Sequence, residues 1–387
     1  MRTQRMLSLV AALSILLCSS LFPQRASAVS KNIVNPLLPS GPDPWVEYED
    51  GLYYVMRTTG DNLTLWKTRS LAELKSAPSK VIWTPPSSGP YAHDIWAPEI
   101  HFLRGRWYVY FAADAGTNLT HRIYVLENSN PDPFQGDWQF KGKISDASDK
   151  WAIDASVFED QGVLYMIWSG WEGDENGTQN IYIARLSNPW TVESKRTRIS
   201  TPEYPWEKVG DLPPKMPGGN PPHIDVNEGP EILVHGGKLF LTYSASACWT
   251  DYYALGMLTA VSGSDLLNAR SWTKSSNPVF QQSPSANVYA AGSSRRIYDS
   301  TSRTLCIVSA SGVPCGRITI TMKLPWSSSG RNALGSCVSI SAAAAVSAPY
   351  TTSQRSGFFS IAPTRVAYRC VERATKPLNQ PKKPRFS

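Results

Sequence analysis

Helical patterning is almost missing from this chain of 387 residues. Outside the short segments 71–75 and 263–267, apolar residues do not recur at helical spacing, which leaves an all-β body. Apolar runs of membrane length are absent beyond residue 28, so a membrane-spanning helix in the remaining chain is excluded. Histidine is scarce, with five residues and none after His235, and the six cysteines have no metal-ligand spacing. Acids are scarce after residue 290: that segment holds 14 Lys and Arg against Asp299 and Glu372. It therefore carries 12 of the charges behind the net +7, and the preceding 289 residues are net negative by 5. A basic tail fits a polyanion in principle, but it has no nucleic-acid-binding motif, and we expect neither a nucleic-acid nor a membrane partner.

The N-terminus begins with Arg2 and Arg5, continues with an apolar run from Met6 to Leu17, and ends in Ala26-Ser27-Ala28. That pattern predicts a signal peptide over residues 1–28 and a secreted, extracellular product. Asn62, Asn118 and Asn176 each open an Asn-x-Thr acceptor, usable in a eukaryotic secretory route. Cys248 is the one cysteine between the leader and the basic tail. Cys306, Cys315, Cys337 and Cys370 all lie in the tail, where two disulfides with three pairings are open. Fourteen Trp and seventeen Tyr supply packing for strands, and flat faces of the kind on which sugar rings stack.

A template recurs along the body: a polar or Pro-containing entry, a short strand, a turn with Gly, and an aromatic and β-branched strand. Its turn glycines are Gly51, Gly105, Gly162 and Gly237, separated by 54, 57 and 75 residues. Units of this length predict the four-stranded blades of a β-propeller, with a fifth expected after Tyr289. Asp43, Asp154 and Glu228 stand at the entries of three such hairpins. In a propeller those entries face one central funnel, so three acids far apart in sequence would meet. Cleavage of a glycosidic bond needs such a set: a protonated carboxyl to release the leaving oxygen, and a carboxylate to activate water. A third carboxylate near the acid raises its pKa.

The segments Ser40-Gly41-Pro42-Asp43-Pro44-Trp45, His93-Asp94-Ile95-Trp96-Ala97-Pro98-Glu99-Ile100, Ala152-Ile153-Asp154-Ala155-Ser156-Val157-Phe158 and Val226-Asn227-Glu228-Gly229-Pro230-Glu231 resemble those of the glycoside hydrolases of family 43. The likeness covers about residues 33–289. It implies a five-bladed β-propeller and an inverting glycosidase, with Asp43 as general base, Glu228 as general acid and Asp154 as the residue that tunes the acid's pKa and orients substrate. Within the family the body looks most like exo-acting α-L-arabinofuranosidases that release arabinose from arabinan, arabinoxylan-type or arabino-oligosaccharide substrates. The alternatives are a β-xylosidase and a sugar-binding propeller impaired by its fifth blade. Trp96, His93, Asp94 and Trp168 are further candidates for lining the pocket, as is His223 for contacting sugar. His101, His121 and His235 read as ordinary strand histidines, and Glu99 and Glu231 as residues that hold neighbours in place.

The resemblance stops being plain at the tail. After Asn287-Val288-Tyr289 the family continues with a Gly-His pair whose histidine helps hold a central ion or water cluster, whereas this chain reads Ala290-Ala291-Gly292-Ser293-Ser294. We therefore expect no cofactor for the chemistry, and a structural calcium or other central ion only without its usual histidine. The expected organisation is a leader over 1–28, a propeller over 29–289 that includes the start of blade five, and a divergent basic tail over 290–387. Either the reading frame slips near Ala290, where the codons GGG-TCA-TC for Gly292 to Ser294 read one base later would give Gly-His, or the fifth blade is real and divergent, with a hairpin over 297–310. A monomer is expected.

Overall fold

The computed structural model describes residues 37–38, 40–212, 221–284 and 289–292, together with the backbones of three strands at 294–298, 304–310 and 318–323. The predicted leader and most of the basic tail lie outside the described residues. Among the described residues, twenty strands and four short 3₁₀ turns make up the regular structure. Strands β1 (Trp45–Glu49), β2 (Leu52–Met56), β3 (Leu63–Thr68) and β4 (Ser79–Trp83) form the first antiparallel sheet, paired in chain order. Strands β5 (His93–Leu103), β6 (Arg106–Asp114), β7 (Arg122–Asn128) and β8 (Gln139–Ile144) form the second in the same way.

The third is built from β9 (Ala152–Asp160), β10 (Val163–Gly170) and β11 (Thr178–Asn188), with the short β12 (Thr191–Val192) and β13 (Thr197–Ser200) on its outer side. The fourth runs β14 (Asp225–His235), β15 (Lys238–Ala245), β16 (Ala254–Val261) and β17 (Thr273–Lys274), and a short parallel pairing of Thr178 and Gln179 with Asp225 and Val226 makes it continuous with the third. A fifth, of β18 (Ser294–Tyr298), β19 (Thr304–Ala310) and β20 (Ile318–Lys323), includes the hairpin expected over 297–310. The first strands of the five sheets are neighbours in the order β1, β5, β9, β14, β18 and back to β1. This is the architecture of a five-bladed β-propeller.

Local turn chemistry sets the blades. Asp50 and Gly51 have φ of 48° and 78°, a two-residue turn with both residues left-handed, and Glu49 pairs with Leu52 across it. The same geometry recurs at residues 104–105, 161–162 and 236–237, so four inner hairpins turn alike. Cores lie between blades. Tyr110, Val125, Val157 and Met166 fill the space between the second and third sheets, and Leu65, Trp107, Val109 and Leu126 that between the first and second. Buried on both faces, β6 is a nearly unbroken apolar run, whereas the outer β4 is largely exposed. Truncating one of these buried residues to Ala costs about 2–5 kcal/mol. Cys248 is disulfide-bonded, a pairing the sequence reading did not anticipate.

Candidate active site

Each predicted acid stands where an inner strand begins, beside a left-handed backbone position. Asp43 has φ of 48° just ahead of β1, Asp154 has φ of 56° near the start of β9, and Glu228 precedes Gly229, at φ of 55°. Asp tolerates this region better than most residues, and Gly carries no steric penalty there. At Gly229 the pairing of β14 with β15 also slips, between Glu228 and Glu231. These kinks break the strict in-and-out alternation of the strands, allowing an acid to leave the blade interface.

Hydrogen bonds across blades then hold the acids. The Gly229 N–H donates to Asp154 Oδ2 at 3.0 Å, tying the third-blade carboxylate to the backbone beside Glu228. Thr58 Oγ1 donates to Asp43 Oδ2 at 2.6 Å and accepts the Ala97 N–H at 2.7 Å, so one hydroxyl joins the ends of β2 and β5 at the acid. The Tyr253 hydroxyl donates to Glu228 Oε1 at 2.8 Å.

The three carboxyls act on one another. Burial first, and then the charges of Glu228 and Asp43, push the Asp154 carboxyl well above the usual range. Glu228 is pushed up to about 7 by burial, helped by the Asp43 charge and opposed by the Tyr253 hydrogen bond. Repulsion between neighbouring carboxylates is mutual, so Asp154 and Glu228 do not readily ionise together. A carboxyl that keeps its proton near neutrality beside the Asp43 charge is the electrostatic requirement of acid-assisted bond cleavage.

Of the other candidates, Trp96 is partly exposed and packs on the cluster containing Ile153, the neighbour of Asp154. His93 and Asp94 are exposed at the start of β5. Burial and the nearby Asp114 carboxylate raise the Asp94 carboxyl. Trp168 is a correction. It sits on β10, the second strand of its blade, is 3% exposed, and stacks on Tyr182 in the core between blades two and three. An aromatic at the end of a strand reads the same in sequence whether the strand is first or second in its blade.

His223 is held between Asp211 at 2.6 Å and Asp225 at 3.0 Å, and these two carboxylates raise its pKa. His101 is buried against Glu99 at 3.0 Å, and His235 ends β14 at its inner hairpin turn. His121 is fully buried and stacked on Trp96. Sequence reading did not single out Thr58, Tyr253 or the Gly229 N–H, because each matters through a partner in a distant segment. Among the described residues no group of three or more His, Cys, Asp or Glu is placed to hold a metal ion.

Comparison with known proteins agrees with the fold. The family described as "Glycosyl hydrolases family 43" matches residues 33–331, more than half of the chain and past Tyr289. An extracellular exo-α-(1→5)-L-arabinofuranosidase of Streptomyces avermitilis is 40% identical over 74% of this chain and 57% of its own length. A protein of the same description from Streptomyces chartreusis is 40% identical over 67% of this chain and 76% of its own. The chain thus spans little more than half the length of the first of these relatives. The crystal structure of an α-L-arabinofuranosidase from Lactobacillus brevis superposes with a TM-score of 0.68 at 33% identity, over 77% of this chain and 94% of that one.

Proposed function

The chain belongs to family 43 of the glycosyl hydrolases, and from that membership we propose that it is a secreted, inverting glycosidase releasing L-arabinofuranose from arabinan, arabinoxylan-type chains or arabino-oligosaccharides. The relatives' descriptions support the sugar and the exo mode of attack. The observation that carries the reading is the meeting of three carboxyls from three blades, with burial and the Asp43 charge raising Glu228 to about 7.

In this reading Glu228 gives its proton to the glycosidic oxygen as the bond to the anomeric carbon breaks. Asp43, oriented by Thr58, takes a proton from the water that attacks the opposite face of the sugar. Asp154 is held by the Gly229 N–H, and because its carboxyl and that of Glu228 do not readily ionise together, the pair retains a proton for the acid step. One water is consumed, arabinose and the shortened alcohol leave, and solvent returns the proton from Asp43 to Glu228. No step passes through a metal or cofactor. We place the propeller from residue 29 to about 331, the end of the family match, so that the change in composition at 290 falls at the entry to blade five, in a protein acting as a monomer.

The test is product analysis with the purified full chain on arabinan, α-1,5-arabino-oligosaccharides and xylo-oligosaccharides, following the first-formed anomer by NMR. Arabinose released with inverted configuration is expected. Xylose as the main product would replace the arabinofuranosidase reading by a xylosidase one, retention of configuration would remove the inverting mechanism, and affinity without turnover would make the protein a sugar-binding propeller.

A further inference from the structure

The start of β5 has an unusual shape that the three acids do not account for. Asp94 and Ala97 are both left-handed, at φ of 50° and 44°, and the pairing of β5 with β6 slips between His93 and Trp96 and again between Trp96 and Glu99. Two non-glycine residues in this region store strain that surrounding contacts must hold. Trp96 lies between the two irregularities, with its ring partly exposed. Its neighbour Ala97 donates to the Thr58 hydroxyl that binds Asp43, and its ring packs on the cluster containing Ile153, next to Asp154. The indole therefore sits between the mounts of the proposed base and the proposed pKa modulator.

What lies behind the indole is a charged and aromatic stack. The His121 ring is parallel to within 28° and its centroid is 4.1 Å from that of Trp96. His121 is fully buried. Its Nε2 is 3.4 Å from the Asp94 carbonyl, and its Nδ1 is 3.3 Å from the Asn118 carbonyl and 3.5 Å from Asp114 Oδ2. Asp114 is also fully buried and accepts the Gly116 N–H at 2.8 Å. Behind His121, Trp151 meets it edge-on at 6.3 Å, stacks on Trp171 at 4.5 Å, and donates to the Asn118 carbonyl at 2.7 Å. One small side chain thus contacts the Asp94 backbone, the Trp96 ring and the loop around Asn118.

We propose that His121 is a positioning residue for substrate binding: its buried ring props the Trp96 indole at the height where a sugar ring packs, and its contact with the Asp94 carbonyl fixes the irregular strand that carries the indole. The inference rests on the arabinofuranosidase reading only for which sugar is bound. Burial lowers the His121 pKa, opposed by Asp114 and by the Asn118 and Asp94 carbonyls.

The test compares Trp96→Ala, His121→Ala, His121→Phe and the Trp96→Ala/His121→Ala double variant in the full chain, with an aryl α-L-arabinofuranoside as substrate. His121→Ala is expected to raise KM about five- to tenfold while kcat falls less than about threefold. Trp96→Ala should do the same, and the double variant should be no worse than the poorer single one. His121→Phe, which keeps a ring under the indole, should recover a large part of the loss. A residue that only filled the core would lower Tm without raising KM. Unchanged KM in His121→Ala, multiplied KM effects in the double variant, or loss confined to kcat would each overturn the proposal.

If His121→Ala does not fold, the contrast of His121→Phe and Trp96→Ala with wild type carries the test, a KM near wild type in the first and raised in the second being expected. Arabinotriose affinity by calorimetry, measured in a Glu228→Gln background, separates this proposal from the parent reading. Absence of hydrolysis overturns the parent alone, whereas affinity indifferent to both positions overturns the proposal.

Discussion

Glu228 carries two opposed influences, burial and the Asp43 charge raising its pKa, and the Tyr253 hydroxyl lowering it. Removing that hydroxyl with Tyr253→Phe takes away a donor that favours the anion, so the acid should titrate higher. The alkaline limb of the rate profile is expected to move up by roughly half to one pH unit, with less than about tenfold loss at the optimum. A limb that moves down would show that Tyr253 acts otherwise. The same raised pKa makes a stability prediction. A carboxyl raised from 4.5 to about 7 contributes its stability below the unfolded value and loses it as pH climbs through 7. Glu228→Gln has no charge to bury, so its Tm should match wild type near pH 4 and exceed it at pH 8. The gain is at most about 3 kcal/mol, which is on the order of 4–5 °C for a chain this size. Equal melting curves at both pH values would mean that Glu228 titrates normally.

Inner strands are the elements that make the site, and their contribution is the set of left-handed residues and bulges at their starts. Thr58 connects two of them, and Thr58→Val keeps its volume while removing both hydrogen bonds. We expect kcat to fall about 10- to 100-fold with Tm lowered by only a few degrees, measured by steady-state kinetics and calorimetry. A kcat near wild type would detach Thr58 from the orientation of Asp43. At this scale the sequence was readable wherever chemistry is local. The repeated two-residue turns at 50–51, 104–105, 161–162 and 236–237 were legible because glycine marks three of them at one place and two glycines mark the fourth. Asp43, Asp154 and Glu228 were legible because they recur at the same point of that repeat. Thr58 and Tyr253 were not, since their bonds to the acids span 15 and 25 residues and nothing near them in the chain announces it. His121 was read as an ordinary strand histidine, because its stacking depends on how two irregularities in β5 turn Trp96. Trp168 was misplaced because period-two patterning does not say which strand of a blade faces the funnel.

For the whole molecule, ring closure is the condition on everything else. β18 lies beside both β14 and β1, so the strand following the abrupt change in composition joins the fourth blade to the first. A chain ended at Tyr289 lacks that strand, and is expected to lose cooperative melting and activity together. Retained activity would place the working fold entirely within the first four blades. The nucleotide sequence around Ala290 separates a slipped frame from a divergent blade, since an uninterrupted frame whose shifted reading contains no blade-like segment removes the slip.

The assignment of Glu228 as proton donor is the claim on which the account turns, and leaving-group dependence addresses it most directly. Glu228→Gln is measured against wild type on α-1,5-arabinobiose, whose sugar leaving group needs a proton, and on a dinitrophenyl α-L-arabinofuranoside, whose leaving group does not. The account predicts at least about a thousandfold loss on the disaccharide and less than about a hundredfold on the aryl substrate. Equal losses on both, or a variant as active as wild type on arabinobiose, would contradict it.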